Sequence, residues 1–151
     1  MATFELRSAD DARSIDERFN GFHDGFISRL CVLSHDRFMV EENGAISHEV
    51  TGKFDVEIDI AHYNYGDGLQ PADRVIQARF INAEQIELDL RNRSADTWPV
   101  IALEFVPRDD GRFDAAFMWH RLTNQEWSTE TAIWYSFEWA VFEEIDRPVA
   151  S

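Results

Sequence analysis

The feature that most constrains the fold is a stretch of strict alternation from Phe54 to Tyr65. The two parities separate apolar from mainly acidic positions: Phe54, Val56, Ile58, Ile60 and His62 against Asp55, Glu57, Asp59, Ala61 and Tyr63. A period of two places these sets on opposite faces of a β-strand, whereas the 3.6-residue period of a helix would mix them. The stretch therefore predicts a long strand with one face turned toward a core.

Similar stretches on either side predict further strands. They lie at 26–34, 37–42, 46–50, 75–81, 85–91, 100–106 and 113–120. Asn43-Gly44 and Asp110-Gly111 favour hairpin turns, because these residue types accept positive φ. Asn82-Ala83 predicts a tight connection between 75–81 and 85–91. The stretches 100–106 and 113–120 are apolar at nearly every position, which is typical of central strands covered on both faces.

A single helix is predicted near the N-terminus, at about residues 8–20. Ser8 can cap its first turn, and Ala12, Ile15 and Phe19 form an apolar stripe of helical spacing. A helix of this length is marginal by itself, so we expect it to pack on the sheet.

Residues 130–143 fit either a strand or a helix, and their density of aromatic side chains favours a strand. Short turns and the lack of other predicted helices indicate one mainly β domain over residues 1–151. We expect an antiparallel meander of about eight to nine strands with one N-terminal helix, α+β by count. The strands could close as a barrel or pack as a sandwich.

The charge is strongly acidic, with 29 acidic and 14 basic residues and a formal net charge of −15. No run of like charge exceeds two residues, so the acidity does not locate a site. It favours a solubilising surface, or a surface complementary to a basic protein partner. Lys53 is the only lysine and no arginines cluster in sequence. Binding to nucleic acid is therefore not expected, because contacts to phosphate groups need clustered lysine and arginine side chains.

The chain lacks several common sequence signals. No stretch has the length and hydrophobicity of a signal peptide or a membrane span, so we expect a cytoplasmic protein without membrane contact. Cys31 is the only cysteine and lies in an apolar run, which predicts a small buried side chain. Phosphate loops, dinucleotide fingerprints, HExxH and GxSxG do not occur, and neither a cofactor nor a metal is expected.

Five residues are candidates for a binding site. His23 and Asp24 fall between the helix and the next strand, where they could tie the two together or act as an acid/base pair. His62 continues the apolar face of the long strand, and His120 ends another strand beside Trp119. These three could meet at one mouth of a barrel, although a metal would need three or four converging ligands.

Two further patterns are weighed. Asp55, Glu57 and Asp59 share one face, but successive side chains on a strand stand about 6.6 Å apart, too far to chelate one ion. A solvated face is predicted. Aromatic residues interleaved with glutamates between 119 and 139 fit either a core or a site for a ring-shaped ligand, and a pair of the glutamates could serve glycoside hydrolysis.

The segment Phe22-His23-Asp24, followed directly by a strand, resembles the opening of small bacterial β-rich families. Some of these families are uncharacterised and some are immunity proteins of contact-dependent toxin systems. The resemblance covers Phe19 to Ser34 and implies no catalytic residues.

Three functions follow from these patterns. The leading prediction is a non-enzymatic acidic binding or interaction domain, such as an inhibitor or immunity-type protein with a basic partner. The alternative is a small-molecule-binding β-barrel with an aromatic-lined cavity. The third is a small hydrolase or isomerase that uses His23 or two glutamates.

Overall fold

The computed structural model of the chain describes residues 3–22, 25–61, 74–88, 102–123 and 126–146. These residues form one α-helix and ten β-strands. The elements are β1 (Thr3–Leu6), α1 (Ala9–Phe19), β2 (Phe26–Ser34), β3 (Arg37–Val40), β4 (Ile46–Glu49), β5 (Phe54–Ala61), β6 (Arg74–Leu88), β7 (Ala102–Pro107), β8 (Phe113–Thr123), β9 (Glu126–Phe137) and β10 (Trp139–Asp146). Within the described ranges, no helix is long and apolar enough to cross a membrane.

All strand pairs are antiparallel, and the strands form two layers and a separate hairpin. The first layer has the order β1, β10, β6, β5, β2, and the second has the order β6, β9, β8, β7. The hairpin consists of β3 and β4. The predicted mainly β class is confirmed, and so is the sandwich alternative, because the described strands do not close into a barrel.

β6 joins the two layers because it bends. Its first part pairs with β5 and β10, and its last residues pair with β9. Asn82 and Gln85 adopt positive φ at the bend (52° and 58°), and Arg112 Nη2 donates to the Asn82 carbonyl oxygen at 2.7 Å. The predicted tight connection at Asn82-Ala83 is therefore wrong: the turn-forming residues bend one strand instead of joining two. Residues 89–91 of the predicted second strand lie outside the described residues.

The core lies between the layers and is centred on Phe80 of β6. Five ring centroids lie 4.9–6.5 Å from that of Phe80, most of them edge-on: Phe105, Phe117, Tyr135, Phe137 and Phe142. Four of these rings belong to strands of the second layer and Phe142 belongs to β10 of the first, so side chains of both layers meet there. Edge-to-face packing of this kind adds to the stabilisation that burial gives.

Residues 130–143 are strands, as the aromatic density predicted. β9 and β10 are separated at Glu138, where the chain passes from the second layer to the first. This break reverses the parity: Tyr135 and Phe137 face the core before it, and Ala140 and Phe142 face the core after it. The stretch is therefore two strands of opposite parity, separated at Glu138.

α1 confirms the predicted helix and covers one open side of the sandwich. The Asp11 N–H donates to Ser8 Oγ at 3.1 Å, which is the predicted cap. Ala12, Ile15 and Phe19 are buried. The helix packs against β1 and β7, which are the last strands of the two layers in the described residues.

The predicted position of 100–106 at the centre of a sheet is wrong. β7 is the outer strand of its layer among the described residues, with Leu103 buried and Glu104 and Val106 exposed. β8 does lie between two strands, β7 and β9. The hairpin predicted at Asp110-Gly111 is confirmed, with Gly111 at φ 82°.

Candidate interaction surface

β2 to β5 form one long two-stranded ribbon whose far end leaves the sandwich. β2 and β5 pair as far as Ser34 and Phe54, and the His35 N–H then donates to the Lys53 carbonyl oxygen at 3.0 Å. Beyond this point β3 and β4 pair with each other and with no other described strand. We call residues 35–53 the arm.

The turn at the tip of the arm is the hairpin that Asn43-Gly44 predicted. Gly44 has φ 80°, a region that favours glycine, and its N–H donates to the Glu41 carbonyl oxygen at 2.9 Å. Asn43 Oδ1 accepts from the Ala45 N–H at 2.9 Å. Both strands are slightly shorter than predicted, because β3 ends at Val40 and β4 at Glu49.

The arm exposes most of the large apolar side chains that the described residues leave in solvent. Seven of these nine side chains belong to the arm or to the end of β2 that leads into it, and the other two are Leu88 and Val106. The seven are Val32, Leu33, Phe38, Met39, Val40, Ile46 and Val50. Phe38 is 76% exposed, Val40 73% and Ile46 70%. Apolar residues scattered singly over a surface need no explanation, but a concentration of this kind does.

Register places three of these residues on one side of the arm. Phe38 lies opposite His48, and Val40 lies opposite Ile46. Directly opposed residues of an antiparallel pair point to the same face. The Phe38 and His48 rings are in contact, with centroids 5.0 Å apart. We call Phe38, Val40, Ile46 and His48 the arm face.

Acidic residues surround the arm face. Asp36 lies at its base and Glu41 and Glu42 lie at its tip, whereas Glu49 of β4 points to the opposite face of the arm. Arg37 is the one arginine of residues 35–53, and its Nε donates to Glu49 Oε2 at 2.6 Å. The arm therefore presents an apolar centre with an acidic rim.

The base of the arm is fixed to the first layer through Asp55. Asp55 Oδ1 lies 2.7 Å from His35 Nε2 and accepts from the Asn82 N–H at 3.1 Å. Arg79 Nη2 donates to Asp55 Oδ2 at 2.9 Å. Burial favours a raised pKa for Asp55, but the hydrogen bonds from Arg79, Asn82 and His35 outweigh it and hold the pKa below its ordinary value. His35 is thus a half-buried anchor at the base of the arm.

The predicted solvated face of Asp55, Glu57 and Asp59 is wrong, because Asp55 is only 5% exposed and Asp59 only 3%. Arg29 of β2 donates through Nε to Asp59 Oδ2 at 3.0 Å and through Nη2 to Glu57. These hydrogen bonds to Asp59 and Glu57 raise the pKa of Arg29 above its ordinary value. Gln77 of β6 donates to Asp59 Oδ1 at 3.2 Å.

Sequence reasoning missed the role of Arg29 and Arg79, because these arginines reach the carboxylates of β5 from neighbouring strands. Arg29 is paired with Asp59, and Arg79 with Glu57, in the register of the first layer. Both arginines lie in predicted strands, and the alternation of each strand shows which residues share a face with them. The alternation does not show which strands are neighbours in the sheet. Cys31 also lies on this face, half-buried with Sγ 2.8 Å from Arg29 Nη1, so its predicted burial is wrong.

This polar cluster links three strands and does not form a reactive site. Its three carboxylates are all engaged by guanidinium groups or by Gln77, and opposite charges compensate each other. In the part of the chain that the structure describes, no group of three or more His, Cys, Asp or Glu side chains is placed to hold a metal ion.

The five candidate residues lie where the structure describes no side chains, so their convergence stays a prediction. His23, Asp24 and His62 lie outside the described residues. Trp119 and His120 belong to β8, where they pair in register with Glu130 and Thr129, but their side chains also lie outside what the structure describes. The proposed barrel mouth does not exist among the described strands, while the small-molecule and hydrolase functions stay hypotheses.

The aromatic set from 119 to 139 divides between core and surface where it is described. Tyr135 is fully buried, as a core interpretation predicts, and Trp134 and Trp139 are half-buried. The Arg7 guanidinium lies 3.9 Å from the centre of the Trp139 ring. A stacked cation of this kind fixes a side chain on the outer surface of the first layer.

Comparisons with known proteins found no matching family model, no similar curated protein and no similar solved structure. The likeness of Phe22-His23-Asp24 to small bacterial families therefore stays a resemblance.

Proposed function

We propose that this protein is a non-enzymatic binding domain that docks on a basic protein partner through the arm. The observation that carries the proposal is the exposure of the arm face on a ribbon that no described strand or helix covers. A partner that buries Phe38, Val40 and Ile46 would remove apolar area worth about 1.5–3 kcal/mol for each fully buried side chain.

The surroundings of the arm face define the chemistry of the partner. Protein interfaces commonly have an apolar centre and a polar rim. Here the rim is acidic, with Asp36 at the base of the arm face and Glu41 and Glu42 at its tip. A complementary surface has an apolar pocket or groove ringed by lysine and arginine.

A second copy of this chain fits the arm less well than a basic protein does. Each chain carries a formal net charge of −15, so two acidic arms repel each other at low salt. An inhibitor or immunity-type protein with a basic target, such as a nuclease, has the required complementarity. The cytoplasmic location expected from the sequence belongs to the same proposal.

Capture from a native lysate of the source organism tests the proposal. Immobilised wild type is compared with the double variant Phe38→Ser, Ile46→Ser, which removes apolar area from the arm face without touching the core. We expect the wild type to retain one identified basic protein in stoichiometric amount, and the double variant to bind it at least about tenfold more weakly.

Leu88→Ser is the matched apolar control, because Leu88 is exposed but lies outside the arm. Glu42→Lys and Glu17→Lys form a matched charge pair, one on the arm and one on α1. We expect Glu42→Lys to slow association and reduce its salt dependence, and Glu17→Lys to have little effect. Equal binding by the wild type and the double variant, or capture of acidic proteins or anionic vesicles alone, would overturn the proposal.

A further inference from the structure

The arm lacks the third strand that the rest of its ribbon has. β6 covers the second edge of β5 from Ala61 to Phe54, which lies opposite Ala83. β6 then bends at Asn82 and Gln85 and pairs with β9 of the second layer. β4 continues the line of β5 into the arm. On the side that β6 has left, none of the strands within the described ranges pairs with β4.

The turn at the tip fixes which main-chain groups of β4 point to this open edge. The Glu41 N–H donates to the Ala45 carbonyl oxygen at 2.8 Å, so these two residues form a hydrogen-bonded pair. Hydrogen-bonded and non-hydrogen-bonded pairs alternate along an antiparallel ladder. The N–H and C=O groups of Ile46 and His48 therefore point away from β3. They give the edge two donors and two acceptors.

The residues that carry these groups are accessible. Ile46 is 70% exposed, and the His48 side chain is 47% exposed. Val50, which follows β4 directly, is 69% exposed. Proteins commonly protect an open edge with proline, lysine or a covering element, and residues 45–50 contain neither proline nor lysine. This edge is therefore open to a further strand.

Resting on the proposed function, we infer that the basic partner docks by adding an extended strand to β4, antiparallel to it. Strand addition to an open edge is a recurrent mode of recognition, in which main-chain hydrogen bonds provide affinity and alternate side chains provide specificity. The added strand takes the third position that β6 occupies beside β5. It converts the arm from a two-stranded hairpin, which is marginally stable by itself, into a three-stranded sheet.

The two faces of the arm define the side chains of the added strand. Its residues alternate between these faces, and one set lies beside Ile46 and His48 on the arm face, which suits apolar side chains. The other set lies on the face of Glu49, with Glu41 and Glu42 beyond it at the tip. A segment in which apolar residues alternate with lysine or arginine matches both faces.

The edge of a second copy matches this chemistry less well than a basic segment does. β4 contains Glu49 and neither lysine nor arginine, so pairing of two β4 edges brings acidic residues together. Each chain also carries a formal net charge of −15, which opposes association at low salt.

The probe is a blocked octapeptide of alternating valine and lysine, titrated into the wild type at low salt while amide hydrogen exchange is followed. We expect saturable binding that slows exchange at the Ile46 and His48 amides. The Phe38 and Val40 amides point to the opposite edge of the arm, so the peptide should leave their exchange unchanged. A valine–glutamate peptide should bind at least about fivefold more weakly.

Proline substitution separates the main-chain contact from the side-chain contact. His48→Pro removes an outward N–H and no hydrogen bond of the hairpin, whereas His48→Ala removes only the imidazole. We expect His48→Pro to bind the peptide at least about fivefold more weakly than His48→Ala does. Val40→Pro alters the opposite edge and should bind as Val40→Ala does. Protection of the Ser47 amide, which bonds within the hairpin, checks that each variant arm is folded.

N-methylated peptides give the same discrimination without altering the protein. In antiparallel pairing, the valine residues on the arm face lie opposite Ile46 and His48 and direct their N–H groups to β4. Methylation of the valine amides should therefore abolish saturable binding, whereas methylation of the lysine amides should not.

Three results would overturn the inference. One is absence of saturable binding by the valine–lysine peptide. Another is binding without slower exchange at Ile46 and His48, which would indicate adsorption to the acidic surface. The third is protection of these two amides in the free protein that is lost on dilution, which would assign the edge to a second copy of the chain.

Failure of this inference and failure of the proposed function give different results. If the peptide fails but capture of the basic partner still depends on Phe38 and Ile46, strand addition is wrong and docking through the arm stands. If no basic partner is captured, the proposed function is wrong and this inference fails with it.

Discussion

Two buried polar side chains show what decides stability at the scale of single residues. Asp55 is buried with hydrogen-bond partners on both carboxylate oxygens. Tyr135 is fully buried, yet its hydroxyl has no hydrogen-bond partner in the structure. Burial raises the pKa of Tyr135 well above its ordinary value, so the hydroxyl stays protonated. A satisfied buried group supports the fold, whereas an unsatisfied one costs free energy.

Tyr135→Phe should therefore stabilise the protein. The substitution keeps the ring that packs against Phe80 and removes a hydroxyl whose desolvation is not compensated. We expect the free energy of unfolding to rise by about 1 kcal/mol in denaturant titrations. A loss of more than about 1 kcal/mol would show that the hydroxyl has a partner such as an ordered water.

Asp55→Asn should destabilise the protein in a pH-dependent way. Because the pKa of Asp55 is lower in the folded chain than in the unfolded one, its contribution is complete above the ordinary pKa of about 4 and is lost as the pH falls through the lowered value. We expect a loss of about 2 kcal/mol near neutral pH, discounted for the half-exposed Arg79 partner, and a shrinking difference from the wild type below about pH 4.

Glu57→Gln is the matched control for this experiment. Glu57 is less buried than Asp55, and it pairs with Arg29, which is itself partly exposed. The expected loss is within about 1 kcal/mol. An Asp55→Asn effect that is equally small, or that does not change with pH, would contradict the anchoring role of Asp55.

At the scale of elements, local sequence predicted those elements whose signals are local. The helix at 8–20, the strand at 26–34 and the turn at Asn43-Gly44 were predicted because caps, periodicity and turn residues specify them within a few positions. The bend in β6 was mistaken for a turn, since Asn82 accepts positive φ in both. Only its partners on β5, β9 and β10 make the strand continuous.

The candidate surface was predictable in part for the same reason. The hairpin that forms the arm follows from its turn, but nothing in residues 35–53 shows that the rest of the chain leaves it uncovered. The burial of Asp55 and Asp59 depends on Arg29 and Arg79, which come from other strands. The exposure of the arm and the burial of these carboxylates depend on the order of the strands in the sheet, which local sequence patterns do not predict.

Substitution of Gln85 tests the bend in β6. Gln85 is exposed and has φ 58°, a conformation that costs about 1–2 kcal/mol for a residue other than glycine. Gln85→Gly should leave the free energy of unfolding unchanged or raise it by up to about 1 kcal/mol. Gln85→Val should lower it by about 1–2 kcal/mol. A lower free energy of unfolding for Gln85→Gly and a higher one for Gln85→Val, in thermal or denaturant unfolding, would contradict the bent strand.

At the scale of the whole molecule, net charge and the arm have opposing effects on association. The charge of −15 keeps copies of the chain apart, while the exposed arm face favours contact. Which effect is stronger depends on salt, because the screening length falls from about 10 Å at 0.1 M to about 3 Å at 1 M.

Self-association should therefore increase with salt and depend on the arm. In sedimentation equilibrium we expect a monomer at low salt and weak association at high salt. The variant Phe38→Ser, Ile46→Ser should remain monomeric under both conditions, whereas Leu88→Ser should behave as the wild type does. Association that weakens as salt rises would contradict an apolar arm contact.

Amide hydrogen exchange of the complex with the captured basic partner tests most directly whether the arm is the binding surface. We expect slower exchange at the amides of β3, β4 and the turn between them. Exchange at the amides of β2, β5 and β6 should be unchanged. Protection confined to other strands, with arm amides exchanging as in the free protein, would contradict the proposed binding function.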